Sequence, residues 1–245
     1  MSKYESAVSE QSISVPVLEA YELWAKTYDS DGNVLQLLDT ELAYELLPNL
    51  LSQPQETVVD LGCGTGRNIE KLLQYPSIGR VFGLDGTPAM LAEARSRMQD
   101  PRLTLQQYNI LTDSPPITSF LPSSVDAVIS TLVIEHLPSL PAFFDLSCKI
   151  LRSGGWLLVT NMHEDMGAKT GAGFYDENGV RVRMEKFAHT EEEVLNAGLA
   201  SGLELQRPPM IRQVKNEEHA QALGARAGKW IGINMLYGMI FVKPK

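Results

Sequence analysis

Short apolar runs alternate along this chain with segments in which apolar residues recur at helical spacing. The runs predict buried strands, and the amphipathic segments between them predict helices. Regular alternation of the two favours a mostly parallel sheet with right-handed crossovers. The predicted strands cover residues 58–61, 81–85, 103–108, 125–130, 156–161, 203–214 and 236–242.

The N-terminal segment has a helical pattern of its own. Val17, Tyr21, Trp24 and Tyr28 fall at i, i+4, i+7 and i+11, which is one face of a helix. Two interpretations stay open: a stripe that packs on the domain, or a lid whose aromatic face covers a ligand.

The second half of the chain changes character. Residues 174–183 predict a hairpin that turns at Asn178-Gly179. Thr190 followed by Glu193 fits a capping box, which opens a helix that Gly202 ends.

The most informative stretch is a glycine turn between two predicted strands. Gly62, Gly64 and Gly66 follow an apolar run that carries Asp60, and Asp85 ends the next strand about twenty residues later. Glycines let a ligand lie against the backbone, and the helix start offers free N–H groups to an anion. An acid at the end of the second strand is placed to bind a ribose diol. The pattern therefore predicts a nucleoside-cofactor site.

The spacing of the glycines indicates which class of nucleoside cofactor the turn binds. Dinucleotide dehydrogenases use G-x-G-x-x-G, whereas this chain has G-x-G-x-G with Asp60 two residues before it. A carboxylate there suits a cationic amino group better than a pyrophosphate. A dehydrogenase remains the alternative, although no Tyr-x-x-x-Lys pair occurs in the chain.

Composition excludes several classes of protein. The 245 residues are 44% hydrophobic and fit one α/β domain with additions. A formal charge of −9 without a basic run argues against a nucleic-acid partner. Two cysteines are too few for a disulfide framework, and no apolar run suggests a signal peptide or membrane span. We therefore expect a cytoplasmic protein without a membrane association.

The block D-L-G-C-G-T-G at residues 60–66 resembles motif I of the class I S-adenosylmethionine-dependent methyltransferases. Residues 84–91, 126–130 and 151–159 resemble later blocks of the same family, in the family's order. The resemblance implies an α/β fold: a Rossmann-like, seven-stranded, mostly parallel sheet with helices on both faces and an antiparallel last strand. It also implies a single methyltransferase domain over residues 1–245.

The same resemblance implies S-adenosyl-L-methionine as cofactor and S-adenosyl-L-homocysteine as product, with no metal. Asn109 stands where the family commonly has an acid, although its oxygen can still accept a hydrogen bond from the adenine amine. The predicted cofactor-binding residues are Asp60, Gly62, Cys63, Gly64, Asp85, Gly86, Met90, Asn109, Ile110 and Thr131.

The segment after the fourth strand predicts the substrate class. Residues 130–138 lack the Pro-Pro-aromatic turn of enzymes that methylate nucleic-acid amines, and resemble the quinone-biosynthesis and secondary-metabolite branches. We expect a small, rather apolar acceptor, with residues 1–30 as lid and 162–190 as recognition insert. His136 and His163 follow strand ends and are candidate general bases. The predicted lid and substrate residues are Tyr21, Trp24, Tyr28, Phe174 and Tyr175.

Two other functions remain open at this point. An acidic surface could attract a basic peptide, as in a protein lysine or arginine methyltransferase. The chain could also be a cofactor-binding regulatory module that acts through a partner. The sequence leaves open a monomer or a homodimer, and it does not identify the atom that is methylated.

Overall fold

The computed structural model describes residues 12–113, 122–171, 173–176 and 178–245, so residues 1–11 of the predicted lid lie outside the described part. The strands are β1 (Ser12–Val15), β2 (Gln55–Leu61), β3 (Ile78–Asp85), β4 (Leu103–Gln107), β5 (Val125–Thr131), β6 (Leu151–Met162), β7 (Gly173–Tyr175), β8 (Arg181–Met184), β9 (Glu204–Leu205), β10 (Met210–Gln213) and β11 (Asn234–Val242). The α-helices are α1 (Val17–Trp24), α2 (Val34–Leu50), α3 (Arg67–Leu72), α4 (Pro88–Arg97), α5 (Pro141–Ile150), α6 (Glu164–Gly167), α7 (Glu191–Ala200) and α8 (Glu217–Leu223). Short 3₁₀ helices cover Ile134–His136 and Gly228–Trp230.

The main sheet has the strand order β10-β11-β6-β5-β2-β3-β4. Strands β4, β3, β2, β5 and β6 are parallel neighbours, and β11 runs antiparallel to β6. The predicted α/β fold with an antiparallel last strand is confirmed.

The predicted strand over residues 203–214 is interrupted in the structure. Strands β9 and β10 both pair antiparallel with β11, so they share one edge position of the sheet. Pro208 and Pro209 lie between them, and a proline cannot donate the hydrogen bond that a continuous ladder needs. The sheet thus has seven strand positions, as expected, with the last edge broken in two.

Side-chain alternation along the strands fills two cores. Val58 packs in the cluster that includes α2, whereas its neighbour Val59 packs in the cluster that includes α5 and α7. Because successive strand residues point to opposite faces, near-continuous apolar runs require cover on both sides. Helices accordingly lie on both faces of the sheet.

A second, small sheet joins the N-terminal segment to the predicted insert. Strands β7 and β8 form the predicted hairpin, and β1 pairs parallel with β8, from Ser12 opposite Arg181 to Val15 opposite Met184. The sequence did not predict β1. Trp24 of α1 stacks on Phe174 of β7 with ring centroids 4.7 Å apart. The N-terminal helix and the hairpin therefore pack as one unit.

The predicted capping box of α7 is confirmed, with the Thr190 side chain accepting from the backbone N–H of Glu193. Within the described residues, no helix combines the length and the apolar character needed to cross a bilayer.

A buried ion pair fixes α2 to the strands that carry the site. Asp39 is fully buried and lies 2.5 Å from the guanidinium of Arg67, the first residue of α3. Its second oxygen accepts from the hydroxyl of Thr160 at 2.6 Å, and Arg67 also donates to Thr40 and Thr131. One carboxylate thus connects α2, α3 and β6.

We predict that Asp39→Ala lowers the free energy of unfolding by about 3–5 kcal/mol, because it leaves the Arg67 charge buried without its partner. Urea unfolding measures the loss. Asp145→Ala, which removes an exposed carboxylate on α5, is the control and should change stability by less than about 0.5 kcal/mol. Equal effects of the two substitutions would show that the buried pair does not stabilise this junction.

Candidate functional site

The glycine turn after β2 is held by the end of β3. The carbonyl of Leu84 accepts from the N–H groups of Gly62 at 2.7 Å and Cys63 at 3.0 Å. Asp85 accepts from the N–H of Gly64 at 2.8 Å. The path of the turn is therefore set by the neighbouring strand.

The glycines of the turn are required for different reasons. All three have positive φ angles, of +80° at Gly62, +54° at Gly64 and +88° at Gly66. A Cβ at Gly62 would collide with Val133, and one at Gly66 would collide with Met98. A Cβ at Gly64 would meet nothing within 4 Å, because this residue faces open space. Gly64 is therefore where a ligand can lie against the backbone.

A cavity of about 160 Å³ lies beside this turn, at the carboxyl ends of the parallel strands. It contains most of the residues that the sequence predicted for cofactor and lid. Of these, the residues lining the cavity are Gly62, Gly64, Asp85, Gly86, Met90, Asn109, Ile110, Thr131, Tyr21 and Tyr28, and the candidate base His136 lines it as well. We call it the first cavity.

Asp85 lies at the end of β3 with both oxygens engaged by the backbone. One oxygen accepts from Gly64 and the other from the N–H of Thr87, each at 2.8 Å. Burial raises the pKa of Asp85, and the two backbone hydrogen bonds oppose that rise. The carboxylate is thereby fixed at the edge of the first cavity.

Asp60 and Cys63 are in the turn region but do not line the first cavity. Asp60 is 1% exposed, and its Oδ2 atom has no hydrogen-bond partner among the described residues. Burial raises the pKa of Asp60 to about 7, although the nearby Arg67 and Lys71 favour the carboxylate. Cys63 packs in the core, and burial raises the pKa of its thiol.

Asn109 differs from the expected contact in its local bonding. Its side-chain oxygen accepts from the N–H of Leu111, and its own N–H donates to Asp113. The Asn109 amide oxygen, which we expected to accept from an adenine amine, thus already closes a local turn.

A second cavity of about 120 Å³ adjoins the first. Four side chains line both, so they form a wall between the two spaces: Tyr21, Tyr28, Leu132 and His136. The second cavity is otherwise lined by the start of α2, the end of β6, the hairpin region and the segment 226–230. Neither the start of α2 nor the segment 226–230 was predicted to belong to the site.

The wall is built on a hydrogen bond between Tyr21 and His136. The Tyr21 hydroxyl lies 2.8 Å from Nε2 of His136, with the two rings edge to face. Burial lowers the pKa of His136 to about 4 and raises the pKa of Tyr21. The imidazole is therefore neutral near pH 7, and its tautomer sets which of the two groups donates the hydrogen bond. Leu132 in the same wall has a φ of +58°, which is strained for a branched residue.

Glu135 is a candidate site residue that the sequence reasoning did not single out. It is 8% exposed, lines the second cavity, and lies 3.6 Å from Nε2 of His136. Burial raises the pKa of Glu135 to about 7, while Lys186 favours its charged form. The available signal was an acid immediately before His136, just beyond the end of a strand.

His163 lines neither cavity. It is the N-cap of α6, where Nδ1 accepts from the N–H of Asp165, and Nε2 lies 3.0 Å from Glu191. Its neighbours are thus those of a residue that fixes a helix terminus.

The aromatic residues predicted for lid and substrate occupy different places. Trp24 lines the second cavity and is buried against Phe174, which itself lines neither cavity. Tyr175 is 54% exposed. The hairpin thus supports the N-terminal helix from behind and contributes Gly173 and Met184 to the second cavity.

Asp29 connects the N-terminal segment to the glycine turn. Its carboxylate accepts from the Thr65 hydroxyl at 2.9 Å and pairs with Arg97 at 2.9 Å. Arg226 also donates to the carbonyl of Asp31 at 2.8 Å. The segment that follows α1 is therefore tied to α4 and to the C-terminal part of the chain.

Comparisons with known proteins agree with this architecture. A family model described as a methyltransferase domain matches residues 59–159. A trans-aconitate 2-methyltransferase of Deinococcus radiodurans is 35% identical over 48% of this chain and 42% of that protein. A chain from the complex between the Haloferax volcanii Trm112 methyltransferase activator and a methyltransferase has a TM-score of 0.69 at 20% identity, covering 94% of this chain and 98% of that chain.

The relative that decides the family is similar over nearly its whole length. An uncharacterized methyltransferase of Emericella nidulans is 37% identical over 258 aligned positions, which cover 92% of this chain and 90% of that protein. Together with the glycine turn, Asp85 and the sheet order, this similarity shows that the chain belongs to the class I S-adenosylmethionine-dependent methyltransferases.

Proposed function

We propose that this methyltransferase acts on a small molecule that binds in the second cavity while S-adenosylmethionine occupies the first. The observation that carries the proposal is the shared wall of Tyr21, Tyr28, Leu132 and His136. Two adjoining cavities allow donor and acceptor to be held side by side, and that alignment supplies much of the rate enhancement in a displacement at carbon.

The residues of the first cavity fit the cofactor. Gly64 leaves open space against the backbone, and Asp85 stands at the cavity edge with carboxylate oxygens that can accept from ribose hydroxyls. Asp60 does not line the first cavity, but it precedes the glycine turn and has a buried oxygen without a partner among the described residues, which suits the ammonium of the methionine part. When bound, S-adenosylmethionine supplies an activated methyl group.

The protein must then align the acceptor, exclude water and take up the acceptor's proton. We assign Glu135 the role of the base that accepts this proton, because its pKa lies near 7 and its side chain lines the second cavity. His136 is a weaker base at a pKa of about 4 and is bonded to Tyr21. We therefore assign His136 the role of positioning the wall rather than removing the proton.

The dimensions of the second cavity favour a small molecule over a peptide. Its volume is about 120 Å³, and the N-terminal segment covers it with Tyr21, Trp24 and Tyr28. The trans-aconitate 2-methyltransferase relative bears the name of an enzyme with a small acceptor, which supports the same branch. We expected a rather apolar acceptor. The lining of the second cavity includes the polar residues Asp31, Gln36 and Glu135, so it favours an acceptor that also carries polar groups.

We predict that Asp29→Ala weakens closure of the lid, because the N-terminal segment loses its contacts with Thr65 and Arg97. Methyl-transfer kinetics should show the cofactor KM raised and kcat lowered together, each by about three- to tenfold. Glu19→Ala, an exposed change on α1, is the control and should leave both constants unchanged. If Asp29→Ala leaves the kinetics unaltered, the N-terminal segment only packs on the domain and does not act as a lid.

We predict that Glu135→Gln lowers turnover by about 10²- to 10⁴-fold, because the amide cannot accept the acceptor proton. A radiolabelled methyl screen across metabolites identifies an acceptor for the assay. The wild-type rate should fall as the pH drops below about 7, since Glu135 is then protonated. The variant should lose this limb of the pH profile while binding the cofactor as wild type does.

The matched control for this experiment is Glu164→Gln, which changes an exposed glutamate on α6. It should keep wild-type turnover and the wild-type pH profile. If Glu135→Gln retains full activity on an acceptor that must lose a proton, the base assignment is wrong. Transfer to a protein or a nucleic acid at rates matching any metabolite would overturn the substrate class.

A further inference from the structure

Gln36, Arg226 and Lys229 are three of the hydrogen-bond donors that line the second cavity, and none of them lines the first. Gln36 is 7% exposed, and its Nε2 atom has no partner among the described residues. Arg226 and Lys229 line the same cavity from the segment that follows α8, and both are exposed. Gln36, Arg226 and Lys229 together are called the donor cluster below.

The two cations of the donor cluster have few interactions with carboxylates. Within the described part of the chain, neither forms an ion pair within 4 Å. Arg226 donates to a backbone carbonyl and lies near Asp31, and the Lys229 ammonium lies 5.1 Å from the ring centre of Trp230. Arg226 and Lys229 are thus two positive side chains at one cavity in a chain with a net charge of −9, and they share that cavity with the carboxyl groups of Asp31 and Glu135.

The buried amide of Gln36 is the more informative member. An unpartnered buried donor costs free energy in the folded protein, so its retention at a cavity indicates a ligand atom that accepts from it. A neutral amide and cationic side chains all donate well to an anionic oxygen, so these residues favour a ligand with an anionic group.

The other residues that line the second cavity indicate the shape and polarity of the rest of the ligand. Trp24 and Trp230 line it together with Met162, Met166 and Met184. Aromatic rings and methionine side chains pack well on flat, unsaturated groups. Two carboxyl groups, Asp31 and Glu135, also line the cavity. Glu135 lies 3.6 Å from Nε2 of His136, a residue of the wall, whereas no member of the donor cluster lines the first cavity.

We propose that the acceptor is a small carboxylic acid with a flat, apolar body, whose carboxylate binds the donor cluster while a different group accepts the methyl. This proposal rests on the proposed function and names its substrate class. The carboxylate is an anchor, because Gln36, Arg226 and Lys229 line the second cavity and not the first. The methylated product therefore keeps its negative charge.

The test compares acids with their neutral counterparts. Calorimetry with saturating S-adenosylhomocysteine measures the binding of 4-hydroxybenzoate, 4-hydroxyphenylacetate and 4-coumarate, each against its carboxamide. At least one acid should bind about tenfold or more tightly than its amide. Gln36→Leu should abolish this preference without lowering the midpoint of thermal unfolding, because the variant removes an unpartnered buried donor.

Lys229→Met should weaken acid binding by about two- to fivefold, as expected for an exposed charge at a cavity rim. Lys215→Met, an exposed lysine in the same part of the chain that does not line the cavity, is the control and should bind as wild type does. If no acid binds more tightly than its amide, or if Gln36→Leu keeps the preference, the proposal is wrong.

Mass spectrometry of the methylated product separates the anchor from the acceptor. An ether with a free carboxylate supports the proposal, whereas a methyl ester overturns it. Failure of the proposed function would look different: the acids would bind with the expected preference, yet no methyl group would be transferred to any small molecule.

Discussion

The site depends on the hydrogen bonds that hold the glycine turn to the end of β3. Leu84 and Asp85 accept from three N–H groups of the turn, at Gly62, Cys63 and Gly64. These bonds impose positive φ angles that side chains rarely adopt, and neighbouring side chains fill the space beside Gly62 and Gly66. What remains open is the space at Gly64. The first cavity is therefore a consequence of how two parallel strands end.

The wall of shared side chains lies between the cofactor cavity and a second cavity, so the site has space for two molecules side by side. Tyr21 comes from the N-terminal helix and His136 from the loop after β5, so their hydrogen bond closes the wall only when that helix is in place. Burial shifts the pKa values of His136 and Glu135 in opposite directions, because desolvation disfavours a cation in one and an anion in the other. A neutral imidazole and a carboxyl group that titrates near neutrality thus stand next to each other.

Local signals in the sequence predicted a mostly parallel α/β sheet and several residues that line the first cavity, and the family resemblance implied the antiparallel last strand. The spacing of Asp60, Gly64 and Asp85 and the capping box at Thr190 each depend on residues close together along the chain or on adjacent strands. The sequence could not show that β1 pairs with β8, or that residues 226–230 line the second cavity, since both depend on contacts between distant segments. Glu135 was not singled out because its significance lies in its burial, which the sequence alone does not display.

The most direct test of this account is the affinity of S-adenosylhomocysteine for Gly64→Ala and Gly202→Ala, measured by calorimetry. Both glycines have positive φ and open space around a Cβ, so each substitution should cost about 1–2 kcal/mol of stability through the same backbone strain. Gly64 lines the first cavity, whereas Gly202 lies beyond the end of α7. The account predicts that affinity falls at least about tenfold for Gly64→Ala alone. Equal affinities for the two variants would contradict the placement of the cofactor against the turn.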